Sequence, residues 1–284
     1  MIAEADRPSR MAARVNEERP VRVSKRSCVV TTRLRLLSIA ALSSAAIGCG
    51  GGGPLLHPAH VLAPGAVSVG AGLSGQLALK PSETTTTTAA NAASGGALQD
   101  LGVAAGVAPW VSGRMGVAGD NDFGLTYSGR AIRVDGRHAF SLGKPTLSIG
   151  LGASAIMARR PGDGNDVSGV FGGGADLPIL IGVKSPSDIY SVWFGPRAGF
   201  EILAGRLQLG QDTAAQTFDV QARHFYGMLV AGVRVGFRHV HVAIELDAGY
   251  HRVDGTFKST GSGETSTHVQ QITLTPAGAL EVSF

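Results

Sequence analysis

The feature that most constrains the fold of this chain is an alternation of apolar and polar residues that begins near Gly65. In residues 147–153, Leu, Ile, Leu and Ala alternate with Ser, Gly and Gly. Residues 240–250 repeat the pattern with Val, Val, Ile, Leu, Ala and Tyr at every second position. Successive side chains of a strand point to opposite faces, so a period of two indicates strands with one apolar and one polar face. The sequence therefore predicts an all-β fold.

The lengths and spacing of these segments favour a membrane barrel. Ten strands are predicted near 65–80, 98–114, 123–134, 137–143, 146–158, 169–183, 189–207, 222–238, 240–252 and 267–284. Most run about 11–18 residues, longer than the usual strands of soluble proteins but suited to tilted spanning strands. We predict a closed antiparallel transmembrane β-barrel of about ten strands over residues 65–284, with eight strands as the alternative.

The connections between these strands alternate in length, as the two ends of such a barrel require. Long connections at 81–97, 159–168, 208–221 and 253–266 fall at one end, and short turns near 119–122, 143–145, 185–188 and 238–239 fall at the other. One short turn, Asp135-Gly136, is predicted at the end that carries the long connections, because Asp-Gly favours a type I′ hairpin. A two-residue turn at Arg238-His239 predicts that Arg234 faces Ala243 and that Glu245 comes within reach of Arg234.

The first 48 residues are predicted to be a secretory signal peptide with a long n-region. Two arginines precede an apolar run from Leu36 to Ile47, too short to span a bilayer but typical of an exported leader. The run ends at Ala46-Ile47-Gly48-Cys49, which resembles the bacterial lipobox and implies lipidation of Cys49. Cleavage by ordinary signal peptidase near the same residues is the alternative. Residues 49–64 are then predicted to be a glycine-rich tether.

The end of the chain resembles the C-terminal insertion signal of outer-membrane barrels. Leu280, Val282 and Phe284 share one strand face, with Phe284 at the terminus. Residues 60–284 as a whole resemble small glycine-rich, porin-like outer-membrane barrel proteins of Gram-negative bacteria. The resemblance implies an outer-membrane location and, as partners, membrane lipid and the barrel-insertion machinery. The oligomeric state stays open.

Charge and cysteine content exclude two other classes of protein. Residues 1–48 hold nine Lys and Arg against four Asp and Glu, whereas residues 49–284 hold sixteen against seventeen. The basic balance therefore belongs to the leader and does not indicate a nucleic-acid partner. Of the two cysteines only Cys49 would remain after cleavage, so the mature chain is expected to form no intramolecular disulfide.

The polar face of the predicted strands carries charges of both signs. A barrel of about ten strands is narrow enough for its side chains to fill the lumen, where opposite charges can pair. The predicted lumen network consists of Arg114, Arg130, Arg197, Glu201, Arg234, Glu245, Asp247 and Glu281. A structural or narrow-pore role follows from this network, with no assignable substrate, cofactor or metal.

Two other functions are carried as alternatives. An outer-membrane hydrolase acting on lipid or peptide would need a serine and histidine together, and His251 and His268 lie near Ser259, Ser262 and Ser266 in the sequence. No spacing selects one pair, so we expect no catalytic residue. A periplasmic lipoprotein with a soluble β-sandwich would also show alternation, but would bury its apolar face.

Overall fold

The computed structural model describes residues 51–79, 83–84, 89–158, 166–209, 216–259 and 263–284, without side chains at 83–84, 89–93 and 166–168. These residues belong to one compact unit, Ser43–Phe284. The predicted leader, residues 1–48, and Cys49 lie outside the described residues. Cleavage of the leader and lipidation of Cys49 therefore stay predictions.

The described part of the chain contains eleven strands and one helix. Their bounds are β1 (Val67–Ala78), β2 (Glu83–Thr84), α1 (Ala89–Gly102), β3 (Gly106–Val117), β4 (Asn121–Tyr127), β5 (Ala131–Ser141), β6 (Thr146–Met157), β7 (Asp166–Lys184), β8 (Tyr190–Leu209), β9 (Gln216–Phe237), β10 (Val240–Ser259) and β11 (Glu264–Ser283). All strand pairs are antiparallel. Strands β1 and β3–β11 each pair with the next one along this order, β1 also pairs with β11, and β2 is a short addition to β11.

The sheet closes on itself because β1 pairs with β11, with Ser68 opposite Ser283 and Leu73 opposite Gly278. Ten strands, β1 and β3–β11, thus form a closed barrel in the described residues. This confirms the predicted fold class and strand number. Eight strands is wrong because ten strands pair around the ring, and the soluble β-sandwich is wrong because the sheet closes on itself through β1 and β11.

The strands are strongly tilted. A path along the hydrogen bonds around the barrel, starting at Val67, returns to β1 at Leu79, twelve residues further along (79 − 67). For ten strands this stagger corresponds to a tilt of about 40°. The turn at Arg238-His239 is as predicted, with Phe237 opposite Val240 and Arg234 opposite Ala243.

The predicted turn at Asp135-Gly136 is wrong, because both residues lie inside β5, opposite Gly124 and Phe123. The chain turns instead at residues 128–130, where Gly129 has a φ of 75°. Asp135 points inward and accepts hydrogen bonds from two arginines, while Phe123 covers Gly136 so closely that a Cβ there would lie 2.8 Å from its ring. The local Asp-Gly preference is overridden by these cross-strand contacts.

The first predicted loop is also more structured than expected. Residues 98–102 were predicted to begin a strand, but they form the end of α1. Among the described residues, no helix is long and apolar enough to cross a membrane. Helix α1, which we call the lid helix, packs on β10 and β11 at the loop end of the barrel. We use loop end and turn end for the two ends, named after the long and short connections.

The outer face of the barrel is apolar between two rings of aromatic side chains. Outward-facing aromatic residues near the turn end are Phe123, Phe140, Tyr190, Phe237 and Phe284, and those towards the loop end are Phe171, Phe225 and Tyr250. Phe225 and Phe237 are twelve residues apart in β9, which at this tilt is about 30 Å. Aromatic girdles flanking an apolar band of about this height are typical of barrels that span a membrane.

A charge placed within this band is expected to destabilise the barrel far more than one placed above it. Leu229 lies outward between the girdles and is 66% exposed, whereas Gln221, on the same face of β9, lies beyond Phe225. We expect Leu229→Arg to lower the free energy of unfolding in lipid vesicles by about 2–4 kcal/mol and Gln221→Arg by less than about 1 kcal/mol. Equal losses in urea unfolding would contradict the assigned membrane band.

Candidate functional site

The lumen of the barrel is occupied by the chain's own residues 51–64, which we call the plug segment. These residues were predicted to be a tether, but in the structure Gly51 lies beside Ala104 near the lid helix, and Leu62 lies beside Asp122 near the turn end. The segment therefore runs through the lumen from the loop half to the turn end before the chain enters β1. Residues 51, 52 and 54–59 are buried.

The centre of the plug segment is held by the carboxylate of Glu245. The backbone N–H of Leu55 donates to Glu245 Oε1 at 2.5 Å, and that of Leu56 donates to Oε2 at 2.9 Å. Trp193 Nε1 donates to the same Oε2 at 3.0 Å. Glu245 was predicted to be near Arg234, but its oxygens are used here instead. Three hydrogen bonds thus converge on one buried side chain, two of them from consecutive backbone N–H groups, and they fix the segment in the lumen.

Nearer the turn end, Arg137 binds the backbone of the plug segment. Its guanidinium donates to the carbonyl oxygens of Pro58 and His60, and it contacts His57 Nδ1 at 2.7 Å. The same arginine donates to both oxygens of Asp122, at 2.7 Å each. At the other end of the segment Arg197 donates to the carbonyl oxygen of Gly53. Two arginines of the barrel wall thus bind the segment above and below the contact with Glu245.

The arginines that hold the plug segment belong to a larger ion-pair network inside the barrel. Its buried pairs are Arg114–Asp122, Arg114–Asp135, Arg133–Asp135, Arg133–Asp176, Arg137–Asp122 and Arg197–Asp176. Each aspartate bridges two arginines, so the network is continuous from β3 to β8. Most of these side chains are buried, and the shared carboxylates compensate charges that would be costly to bury alone.

All eight residues of the predicted lumen network lie on the inner face, but they do not form one network. Arg114 and Arg197 join the chain of ion pairs described above. Arg130 pairs with Glu201 at 3.0 Å, and Arg234 lies 3.0 Å from Asp188 and 3.7 Å from Glu281. Glu245 holds the plug segment, and Asp247 is fully buried two residues further along.

Sequence reasoning missed five members of the network, namely Asp122, Arg133, Asp135, Arg137 and Asp176. Asp122 was assigned to a turn, yet it is 0% exposed and lies in β4. The misplaced turn at 135–136 divided β5 and hid the spacing of Arg133, Asp135 and Arg137 at every second position of one strand. That spacing was the signal available in the sequence.

Nearer the loop end than this network, a chain of hydrogen bonds joins four neighbouring strands, β8 to β11. Glu201 Oε2 lies 2.9 Å from His224 Nδ1, His224 Nε2 lies 2.9 Å from His251 Nδ1, and His251 Nε2 lies 2.8 Å from Thr273 Oγ1. His251 is therefore an inner-face residue, whereas His268, the other candidate histidine, lies between the inward residues Thr267 and Val269 and points outward. The two histidines considered for a hydrolase thus lie on opposite faces of the barrel wall, and His251 is already bonded to His224 and Thr273.

The loop end of the lumen is closed by an apolar layer. Ala97, Leu98 and Leu101 of the lid helix pack into a buried cluster with wall residues that include Val253, Phe257 and Val269. Arg130 also donates to the carbonyl oxygen of Gly102 at 2.7 Å, the last residue of the helix. The lid helix thus seals the barrel at the loop end, above the plug segment.

A cavity of about 240 Å³, which we call the lower cavity, lies at the turn end of the lumen. One wall is the plug segment, through Leu55, Leu56, Pro58, Val61 and Leu62. The barrel wall supplies Trp110, Ser191, Lys184, Arg234 and Glu281, among others. Among the described residues, no group of three or more His, Cys, Asp or Glu side chains is placed to hold a metal ion.

Comparison with known proteins gives only distant likenesses. No protein-family model matches the chain, and no curated protein matches it. Neisserial surface protein A is 12% identical, with 77% of this chain and 96% of that one covered and a TM-score of 0.28. The translocator domain of autotransporter NalP from Neisseria meningitidis is 10% identical, with 93% and 100% covered and a TM-score of 0.30. The outer membrane protease OmpT from Escherichia coli is 8% identical, with 80% and 100% covered and a TM-score of 0.29.

These TM-scores are too low to assign the protein to a class, so the assignment rests on the surface of the barrel itself. Its closed ring of tilted strands, apolar outer band and two aromatic girdles fit one setting. The chain is an outer-membrane β-barrel. Of the predicted insertion signal, Leu280 and Phe284 are 53% and 73% exposed on the outer face and Val282 is partly exposed beside them. Their recognition by the insertion machinery stays a prediction. Outer-membrane barrels keep their short turns in the periplasm, which places the lower cavity on that side.

Proposed function

We propose that this protein is a closed barrel with a structural role in the outer membrane, and that its resting state does not conduct. The observation that carries the proposal is the seated plug segment, held by Glu245, Arg137 and Arg197 across the lumen. The lid helix provides a second closure at the loop end. A narrow-pore role, the other part of the sequence prediction, would require both closures to move.

The contacts of the polar side chains support a structural role over hydrolysis. His251 is engaged by His224 and Thr273 inside the wall, and most of the charged lumen side chains contact another side chain or the plug segment. Such pairing stabilises buried polar groups and leaves few of them available for a substrate. We therefore propose that the chain is not an enzyme.

The test is a planar-bilayer recording of the purified, refolded full chain. We expect insertion without stable conductance steps at neutral pH, because the plug segment and the lid helix both block the lumen. Insertion is checked independently by protection of the barrel from added protease in vesicles. Regular single-channel steps from protein that is inserted and folded would overturn the proposal.

A further inference from the structure

We propose that the lower cavity is a periplasm-facing binding site for a small amphiphilic carboxylate, a short-chain organic acid. The proposal rests on the unpartnered polar atoms that line the cavity, on its charge and on its two-sided chemistry. It goes beyond the closed-barrel role, although it uses the seated plug segment as one wall.

Three buried polar side chains at the cavity have atoms without a hydrogen-bond partner, namely Trp110 Nε1, His57 Nε2 and Ser191 Oγ. Trp110 and Ser191 are 2% and 1% exposed, and His57 is 6% exposed. An indole nitrogen can only donate. His57 Nδ1 receives the Arg137 guanidinium, which only donates, so His57 Nε2 carries the hydrogen and is a second donor. Buried donors of this kind are normally satisfied, so a ligand acceptor that reaches them from the cavity would gain hydrogen bonds that the chain itself does not supply.

The charged lining favours an acceptor that is an anion. Arg114, Arg137, Lys184 and Arg234 line the cavity against two carboxylates, Asp188 and Glu281. Arg114 and Arg137 share Asp122, and Arg114 also shares Asp135 with Arg133, so the arginines of the ion-pair network outnumber its aspartates. The carboxylate that Arg234 approaches most closely, Asp188, is 48% exposed at the turn end. A guanidinium and an indole N–H at one site suit a carboxylate group.

The opposite wall is apolar and limits the size of the ligand. Leu55, Leu56, Pro58, Val61 and Leu62 line this side. A volume of about 240 Å³ equals roughly eight waters of liquid, enough for a short carbon chain with its head group. The exposed Lys184 and the half-exposed Asp188 mark the entrance. A ligand with its carboxylate group at the donors of the barrel wall and its carbon chain against the plug segment would contact both walls.

The test is isothermal titration of the full chain in detergent with hexanoate, hexanamide and inorganic phosphate. We expect saturable binding of hexanoate and at least tenfold weaker binding of the other two compounds. Hexanamide lacks the negative charge, and phosphate lacks the carbon chain. If hexanamide binds as tightly as hexanoate, the site does not select for negative charge. If phosphate binds as tightly, the apolar wall does not contribute to binding. Either result contradicts the proposal. A cavity that holds water only gives no heat with any of them, and this too overturns the proposal.

Variants assign the binding to this cavity. Trp110→Phe keeps the ring but removes the donor, and we expect about tenfold weaker hexanoate binding, as for loss of one hydrogen bond to a charged group. Tyr226→Phe is the control, since it also removes one donor from an aromatic ring in the lumen but Tyr226 does not line the lower cavity, and the affinity should stay within twofold. Ser191→Met fills the cavity and should abolish binding. Unchanged hexanoate binding in both cavity variants would contradict the site. A barrel that does not conduct in bilayers and binds no hexanoate would overturn the binding site but leave the closed-barrel role intact.

Discussion

Conductance is expected only when the plug segment and the lid helix are disrupted together. The plug variant is Gly51→Ala/Gly52→Ala, and the lid variant is Leu98→Asp. In planar bilayers each variant alone is expected to stay silent or to open rarely, while the combined variant gives stable steps. The reason is that the two closures lie in series along one lumen, so that removing one leaves the other in place.

The two glycines of the plug variant touch the barrel wall directly. Gly51 has a φ of 129°, and a Cβ there would lie 2.6 Å from Ala108 Cβ, which cannot rotate away. At Gly52 a Cβ would lie 2.2 Å from Thr275 Cγ2 and 3.1 Å from its Cβ. Alanine at both positions therefore forces the segment away from β3 and β11.

The chain offers matched controls for both closures. At Gly53 a Cβ would meet nothing nearer than Ser128 Oγ at 3.9 Å, so Gly53→Ala should leave the barrel closed. Leu98 is 0% exposed and Asp there must leave the apolar layer, whereas Gly96 faces open space on the same helix and Gly96→Asp should be silent. Steps from the combination of the two control changes would show that mere loosening opens the barrel, against a specific double closure.

The sequence predicts the wall of this barrel well, because the alternation of apolar and polar residues within each strand shows which face meets lipid. Leu229 and Leu151 point outward, and Arg114 and Glu281 point inward, as their positions in the alternation require. The turn at Arg238-His239 even sets the register of β9 against β10. The one misplaced turn, at Asp135-Gly136, arose where a local turn preference competed with contacts that only the closed barrel supplies.

The contents of the lumen could not be predicted in the same way. Residues 51–64 have no strand or helix period, and their partner Glu245 is 190 positions from Leu55 in the chain. Nothing local distinguishes a glycine-rich tether from a glycine-rich segment that fits against a wall. The lid helix did leave a signal, since Ala97, Leu98 and Leu101 have the spacing of a helix face. The Thr-rich stretch before it favoured a loop.

Breaking the ion-pair network is expected to cost more stability than any other single change proposed for this barrel. Asp176 is the shared partner of Arg133, at 2.8 Å, and Arg197, at 2.7 Å, and the three side chains are at most 10% exposed. In Asp176→Ala both guanidiniums stay in the lumen without that carboxylate. Removing one partner of a buried ion pair costs about 3–5 kcal/mol, and two arginines depend on this one, so we expect a loss at or above the upper figure.

The matched control is Asp219→Ala, the same substitution at an aspartate that also pairs with an arginine. The Arg206–Asp219 pair is 3.1 Å long, but its side chains are 78% and 66% exposed, so water replaces the lost partner. We expect a change below about 1 kcal/mol. Both variants are measured by urea unfolding in vesicles, followed by the gel shift between folded and heated barrel. Asp176→Asn separates charge from shape: it keeps hydrogen-bond acceptance towards one arginine but removes the charge, and should fall between Asp176→Ala and the native chain. A loss for Asp176→Ala no larger than that for Asp219→Ala would mean that the lumen is hydrated enough to screen these charges, and that packing of the plug segment stabilises the barrel instead.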